Sequence, residues 1–175
     1  MMFSTGKSSF FMIILIVMYI QQLAKDHPFP GLTEEQKIQV APFFQTWKCS
    51  AGKTIFEQGQ LARSFYVIHD GQVLIRYKPY DGPAIDITRI GVGQVFGWSA
   101  ALGHSTYSSS AMSLTDSEGM MISKRNLQAL YKQYPKTGTI IIEHLADLIA
   151  ERMGNTHATV YAILLSSVEH YTPFY

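Results

Sequence analysis

The sequence lacks most of the features that mark an enzyme, a disulfide-stabilised domain or a metal site. It contains one cysteine, Cys49, which excludes an intramolecular disulfide and gives no sign of an oxidising compartment. Its six histidines are dispersed, without a His-x-His or HExxH spacing, so no zinc site is indicated. A Gly-x-Ser-x-Gly nucleophile elbow is absent as well. We therefore expect neither catalytic nor metal-ligating residues.

An excess of either charge is also lacking. The 14 basic residues and 13 acidic residues leave a formal net charge of +1, and no basic run is longer than Lys124-Arg125. The last segment, residues 154–175, contains no Lys or Arg and is too short for a DNA-reading helix-turn-helix. No nucleic-acid partner is expected, and we predict a cytoplasmic protein.

The longest apolar run covers residues 10–20 and is too short for a membrane-spanning helix, which needs about 20 residues. Several interpretations stay open. If translation starts at Met12 or Met18, the residues before that methionine are never made. The length of the run also suits a signal peptide or a membrane-associating segment. It would also suit a helix packed on the domain. We therefore treat residues 1–24 as an N-terminal extension, with membrane association through residues 10–20 as an alternative.

What the chain does contain is a series of short strand-like segments broken by glycine. Thr33 and Gln36 form a capping box that begins a short helix, which is expected to end near residues 42–44. Asp70-Gly71 lies between two β-rich runs and predicts a hairpin. Apolar and polar residues then alternate with the period of a half-buried strand. The predicted strands are residues 55–56, 65–68, 73–77, 85–90, 109–114 and 119–122.

From Ser123 onward the apolar residues recur with the period of a helix. One short helix is expected to stop at Pro135, and a longer one follows with Ile141 and Leu145 on its apolar face. Many short strands between helices predict a mostly β fold, an antiparallel β-roll or jelly roll of about eight strands plus a C-terminal helical segment.

The domain is assigned to residues 25–153 and is followed by a helical tail at 154–175. The apolar stripe of that tail predicts either a homodimer through this helix or packing of the tail on its own domain.

Three glycine-containing blocks, at residues 51–60, 65–75 and 93–97, resemble the cyclic-nucleotide-binding domain in their order and spacing. That family includes the sensory half of catabolite-activator-like regulators. The resemblance covers about residues 25–153 and implies an eight-stranded β-roll with helices outside. It also implies a regulatory role and a cyclic nucleotide, cAMP or cGMP, as ligand. In the family, the cyclic phosphate is held by a phosphate-binding cassette, and residues 93–102 and 109–111 resemble that cassette here.

This cassette lacks the two charged side chains that hold the ligand in the family. Trp98 stands where a glutamate takes the ribose 2′-hydroxyl, and Ser109 stands where an arginine binds the phosphate. Backbone N–H groups at the start of the short cassette helix would remain as donors. By this resemblance, the candidate ligand-binding residues are Gly97, Trp98, Ser99, Ala100, Ala101, Ser109, Ser110 and Ala111.

A cation elsewhere in the chain could replace the missing arginine, and the candidates are His104, Arg63, Arg76 and Arg89. Without one, losing a hydrogen bond to a charged group costs about 1.5–3 kcal/mol, roughly 10- to 100-fold in affinity. The sequence therefore predicts a stand-alone, non-catalytic sensory or regulatory module with weak, altered or lost nucleotide binding and an unidentified protein partner. The alternative is a functional cAMP or cGMP receptor that relies on the backbone donors of the cassette.

Overall fold

The computed structural model describes residues 31–102 and 104–153, together with residues 165 and 169. Within this part of the chain, the predicted β-roll is confirmed by eight antiparallel strands in two four-stranded sheets with flanking helices. The strands are β1 (Phe44–Cys49), β2 (Thr54–Phe56), β3 (Ser64–Asp70), β4 (Val73–Tyr77), β5 (Ile85–Ile90), β6 (Val95–Phe96), β7 (Ser110–Ser113) and β8 (Ser117–Ser123). The α-helices are α1 (Glu34–Val40), α2 (Lys124–Gln133) and α3 (Pro135–Met153), and 3₁₀ helices occur at Ala41–Phe43 and Trp98–Ala100.

The two sheets have the strand orders β1-β8-β3-β6 and β2-β7-β4-β5. The hairpin predicted at Asp70-Gly71 is wrong, because β3 pairs with β6 and β8 whereas β4 pairs with β5 and β7. Gly71, with a φ of 92°, instead turns the chain from one sheet to the other. Sequence signals for a tight turn do not reveal whether the strands on either side pair with each other.

The first sheet is buried on both faces, which explains why residues 65–68 form a continuous apolar run. Phe65 and Val67 face the helices, whereas Ile68 faces the interior of the roll. We call the cluster between this sheet and the helices the helix-side core. Its buried members include Val40, Phe44, Phe65, Val67, Met120, Ile122, Leu127, Leu130, Ile141, Leu145 and Ile149.

Sequence patterning does not predict β1. Its two buried residues, Phe44 and Trp47, are three positions apart, a spacing typical of a helix. In the structure they lie on opposite faces of the strand, Phe44 in the helix-side core and Trp47 inside the roll. The strand lacks a period of two because each of its faces contributes one large residue to a different cluster.

The three helices predicted between residues 33 and 153 are confirmed. The Gln36 N–H donates to Thr33 Oγ1 at 3.2 Å, and the Thr33 N–H donates to Gln36 Oε1 at 2.9 Å, which completes the capping box of α1. Ser123 caps α2 by accepting a hydrogen bond from the Asn126 N–H at 3.1 Å. Ile141 of α3 is fully buried in the helix-side core.

Two described residues report on the tail. Leu165 packs against the helix-side core, and the Tyr131 hydroxyl donates to Glu169 Oε1 at 3.3 Å. These contacts are made with the chain's own domain, and dimerisation through the tail stays a prediction. The extension at residues 1–24 and its apolar run lie outside the described residues. Within the described ranges, no helix has the length and apolar character needed to cross a membrane.

Five aromatic side chains fill the interior of the roll, and we call them the aromatic core. Phe56 stacks on Tyr107 with ring centroids 3.7 Å apart, and Tyr66 stacks on Phe96 at 4.9 Å. Trp47 meets Phe96 edge-on at 5.7 Å. Such pairs stabilise a core beyond the area that they bury, by about 0.5–1.5 kcal/mol each.

Gly119 in β8 makes room for the Trp47 side chain. The Trp47 indole N–H donates to the Val67 carbonyl oxygen at 3.2 Å, and β1 places Trp47 directly opposite Gly119. A Cβ on Gly119 would collide with the Val67 carbonyl oxygen and lie 2.8 Å from Trp47 Nε1. We expect Gly119→Ala to lower the free energy of unfolding by about 2 kcal/mol or more, measured by urea denaturation.

Gly91→Ala is the matched control for this substitution. A Cβ on Gly91 would meet nothing within 4 Å, and its φ lies outside the left-handed region. The control should therefore change stability by no more than about 0.5 kcal/mol. Equal effects of the two substitutions would contradict the role given to Gly119.

Burial among the aromatic rings, together with the neighbouring Tyr107 hydroxyl, raises the pKa of Tyr66 well above its ordinary value. In the unfolded chain a tyrosine ionises near pH 10, so ionisation then favours unfolding. The stabilisation that the neutral Tyr66 side chain adds to the free energy of unfolding is therefore fully present below about pH 10. It is lost as the pH rises above that value.

We expect Tyr66→Phe to reduce the loss of stability between neutral pH and about pH 11, because the variant has no phenol to ionise. Denaturation curves recorded across this range provide the measurement. Tyr80→Phe is the control, because the Tyr80 side chain is fully exposed. In this variant the free energy of unfolding should fall with pH as steeply as in the unaltered chain. If Tyr66→Phe lost free energy of unfolding at alkaline pH as steeply as the unaltered chain, Tyr66 would not be the cause of that loss.

Candidate functional site

The cassette approaches the aromatic core closely at Gly97. This glycine has a φ of 76°, and a Cβ there would lie 3.0 Å from Tyr66 Cδ2 and 3.1 Å from the Ser64 carbonyl oxygen. As the sequence predicts, the missing side chain lets the backbone come close to its neighbours. The 3₁₀ helix Trp98–Ala100 begins directly after this turn.

Tyr107 fixes the returning end of the cassette. Its hydroxyl donates to the Ser64 carbonyl oxygen at 2.7 Å and accepts from the Ser64 N–H at 3.2 Å. Its backbone N–H donates to the Gln60 carbonyl oxygen, and its own carbonyl oxygen accepts from the Gly59 N–H, both at 2.9 Å. The cassette is therefore held at both ends, by Gly97 and by Tyr107.

A cavity of about 540 Å³ lies between the cassette and the β4–β5 hairpin. This volume falls within the range of small-molecule sites, about 300–1,000 Å³. The lining residues are Phe56, Ile75, Tyr77, Ile87, Thr88, Phe96, Gly97, Trp98, Ser99, Tyr107, Ser108 and Ser109. None of these residues has a charged side chain. The site is therefore an aromatic and aliphatic cavity with hydroxyl groups and without a fixed charge.

Four of the eight candidate binding residues line this cavity, namely Gly97, Trp98, Ser99 and Ser109. Ser99 is 6% exposed, and its hydroxyl lies 3.5 Å from the Ser108 hydroxyl. The Ser108 N–H also donates to Ser99 Oγ at 3.4 Å. The two positions where the family has charged residues, Trp98 and Ser109, thus face the same cavity.

Ala100 and Ala101 lie behind the lining. Both are buried, and Ala101 belongs to the helix-side core. The Ala101 N–H donates to the Trp98 carbonyl oxygen at 2.9 Å, and the Ala100 N–H donates to the Gly97 carbonyl oxygen at 3.4 Å. These two backbone N–H groups near the start of the cassette helix are thus engaged within the cassette itself.

Ser110 and Ala111 also lie outside the lining. The Ser110 hydroxyl accepts from the Gln58 N–H at 2.9 Å and donates to Glu57 Oε2 at 3.0 Å. Ala111 is fully buried beside the aromatic core. Both residues hold β7 in place, and neither reaches the space where a ligand would lie.

None of the four candidate substitute cations lines the cavity. Arg76 Nε donates to Asp86 Oδ1 at 2.7 Å, so its guanidinium is paired across β4 and β5. Arg63, Arg89 and His104 are exposed. In the described ranges, moreover, no three His, Cys, Asp or Glu side chains are grouped so that they could hold a metal ion.

Sequence reasoning misses the wall of the cavity formed by β4 and β5. Ile75 pairs with Thr88 and Arg76 pairs with Asp86, so Ile87 occupies a bulge between these pairs. Because of the bulge, the adjacent residues Ile87 and Thr88 both line the cavity. Strict alternation would place them on opposite faces, and no sequence signal marks the extra residue.

The sequence model of the cyclic nucleotide-binding domain matches residues 46–134, about half of the chain. The cyclic AMP receptor protein of Thermus thermophilus is 28% identical over 125 residues, which cover 71% of this chain and 56% of that relative. The chain therefore spans little more than half the length of that protein.

Two solved structures share the fold. A cyclic nucleotide-binding domain from Methylobacillus flagellatus has a TM-score of 0.70 at 16% identity, with 87% of this chain and 84% of that chain covered. The regulatory subunit of a cAMP-independent protein kinase A from Trypanosoma cruzi, bound to guanosine, has a TM-score of 0.64 at 21% identity, with coverages of 90% and 53%. The chain belongs to the cyclic nucleotide-binding domain family.

Proposed function

We propose that this chain is a non-catalytic sensory or regulatory module in which cyclic-nucleotide binding is much weaker than is typical of the family. The absence of any charged side chain from the cavity lining carries this proposal. Membership of the family supports the regulatory role. We further propose a cytoplasmic module that signals to a protein partner and dimerises through the tail at residues 154–175.

A cyclic phosphate carries a full negative charge, and this cavity offers it little compensation. Burying an anion without a paired cation is costly, and the missing charge-assisted hydrogen bond accounts for about 1.5–3 kcal/mol. The N–H groups of Ala100 and Ala101 already have partners within the cassette. The loss in affinity should therefore be roughly 10- to 100-fold from the missing arginine alone.

Trp98 removes the second anchor of a cyclic nucleotide. An indole N–H is a donor only, so this side chain provides no acceptor for a ribose hydroxyl. It also lines the cavity with a bulkier group than the glutamate found in the family. A fold of this kind without cAMP dependence has a structural counterpart in the Trypanosoma cruzi regulatory subunit bound to guanosine.

The geometry of the cassette favours one alternative, a cAMP or cGMP receptor that relies on backbone donors. Gly97 has the left-handed backbone conformation, and Ser99 of the following 3₁₀ helix lines the cavity. Under this alternative, the unaltered chain binds cAMP in the micromolar range without any engineered charge. A single titration experiment separates the two functions.

Restoring both charges should restore cyclic-nucleotide binding. In the Trp98→Glu/Ser109→Arg double variant of the full chain, we expect cAMP affinity to rise at least about ten-fold, because a phosphate partner and a ribose acceptor return. Calorimetric titration of cAMP and cGMP provides the measurement. The Trp98→Gln/Ser109→Gln variant, which removes the indole without adding charge, is the matched control and should not show this gain. Micromolar cAMP binding by the unaltered chain that the charges do not improve would establish the receptor alternative.

A further inference from the structure

We propose that the cavity binds an uncharged nucleoside in preference to the corresponding cyclic nucleotide. This inference rests on the weakened cyclic-nucleotide binding proposed above and names the ligand class of the same site. A nucleoside keeps the flat heterocycle and the sugar hydroxyls but lacks the phosphate. The lining offers apolar and aromatic surface for the heterocycle, hydroxyl groups for the sugar, and no charged side chain for a phosphate.

The heterocycle is matched by exposed apolar surface on the hairpin side. Tyr77 is 43% exposed and Ile87 is 57% exposed, although both line the cavity. Trp98 is half-buried and packs partly against the helix-side core, and it lines the cavity on the cassette side. A flat base lying against these side chains would bury surface that the unliganded protein leaves in water, and aromatic stacking would add to that gain.

The sugar is matched by a group of neutral hydroxyls at the cassette. Ser99, Ser108, Ser109 and Thr88 all line the cavity, and the Ser99 hydroxyl is buried within 3.5 Å of that of Ser108. A serine hydroxyl can donate and accept at once, as can a ribose hydroxyl. Neutral hydroxyl pairs of this kind need no counter-charge, unlike a phosphate.

The electrostatic surroundings do not favour the phosphate either. The Glu57 carboxylate accepts a hydrogen bond from Ser110 Oγ. Ser110 begins β7 and directly follows the lining residue Ser109. The Arg76 guanidinium is paired with Asp86 and does not line the cavity. Glu57 is exposed, so water screens its charge, and the carboxylate next to this position provides no favourable partner for an anion.

The test is a calorimetric titration of the full chain with adenosine, guanosine, cAMP and cGMP. We expect each nucleoside to saturate the protein with an affinity at least about ten-fold higher than that of its cyclic nucleotide. Ser99→Ala should weaken adenosine binding roughly two- to ten-fold, as the loss of one neutral hydrogen bond predicts. Ser105→Ala, at an exposed cassette position outside the lining, is the control and should leave affinity unchanged.

A ligand without ring hydroxyls separates a direct contact of Ser99 from a structural effect. With 2′,3′-dideoxyadenosine, the Ser99→Ala variant and the unaltered chain should bind equally well. An equal loss with adenosine and with the dideoxy compound would remove Ser99 from recognition of the 2′- and 3′-hydroxyls and contradict the match proposed for them.

The outcomes distinguish this inference from the function on which it rests. If neither nucleosides nor cyclic nucleotides bind, the nucleoside inference fails while weakened cyclic-nucleotide binding stands. If cAMP binds in the micromolar range and more tightly than adenosine, both fail. Tighter binding of adenosine than of cAMP supports both.

Discussion

The stacked contact between Phe56 and Tyr107 is the interaction on which the site depends. Their ring centroids lie 3.7 Å apart, and the Tyr107 hydroxyl joins both the N–H and the carbonyl oxygen of Ser64. This contact anchors the returning cassette to the roll, while Gly97 brings its other end against Tyr66. The same rings form the floor of the cavity, so the packing that stabilises the fold also shapes the site.

The fold and the chemistry of the cavity give different information about function. The roll, the glycine turn and the short helix place a cavity beside the cassette, whereas the side chains decide what that cavity accepts. Trp98 and Ser109 face the cavity at the two positions where the family uses charge. Because Arg76 is paired with Asp86 away from the lining, the cavity stays neutral.

Much of the fold follows from local sequence, and the exceptions have physical causes. The capping box at Thr33 and the strand at residues 73–77 are local, and the structure confirms them. The alternation expected in that strand is wrong, because Val73 and Leu74 are both buried. The strand β1 escapes prediction because Phe44 and Trp47 enter different cores. At the site, the lining positions Trp98 and Ser109 follow from the resemblance. The bulge at Ile87 does not, since an inserted residue leaves no mark on the sequence pattern.

The central claim is that the cavity holds a phosphate much more weakly than is typical of the family, and ³¹P NMR of cAMP mixed with the full chain tests it most directly. The cyclic phosphate reports on its own environment, whichever residues surround it. A neutral cavity predicts that a protein titration of the phosphorus resonance, at about 100 µM cAMP, gives a dissociation constant at least about ten-fold above a family-typical micromolar value, so that the shift and line width are not saturated at one equivalent of protein. Saturation of the shift or line width near one equivalent of protein, with a micromolar dissociation constant, would show a tightly bound phosphate and contradict the account.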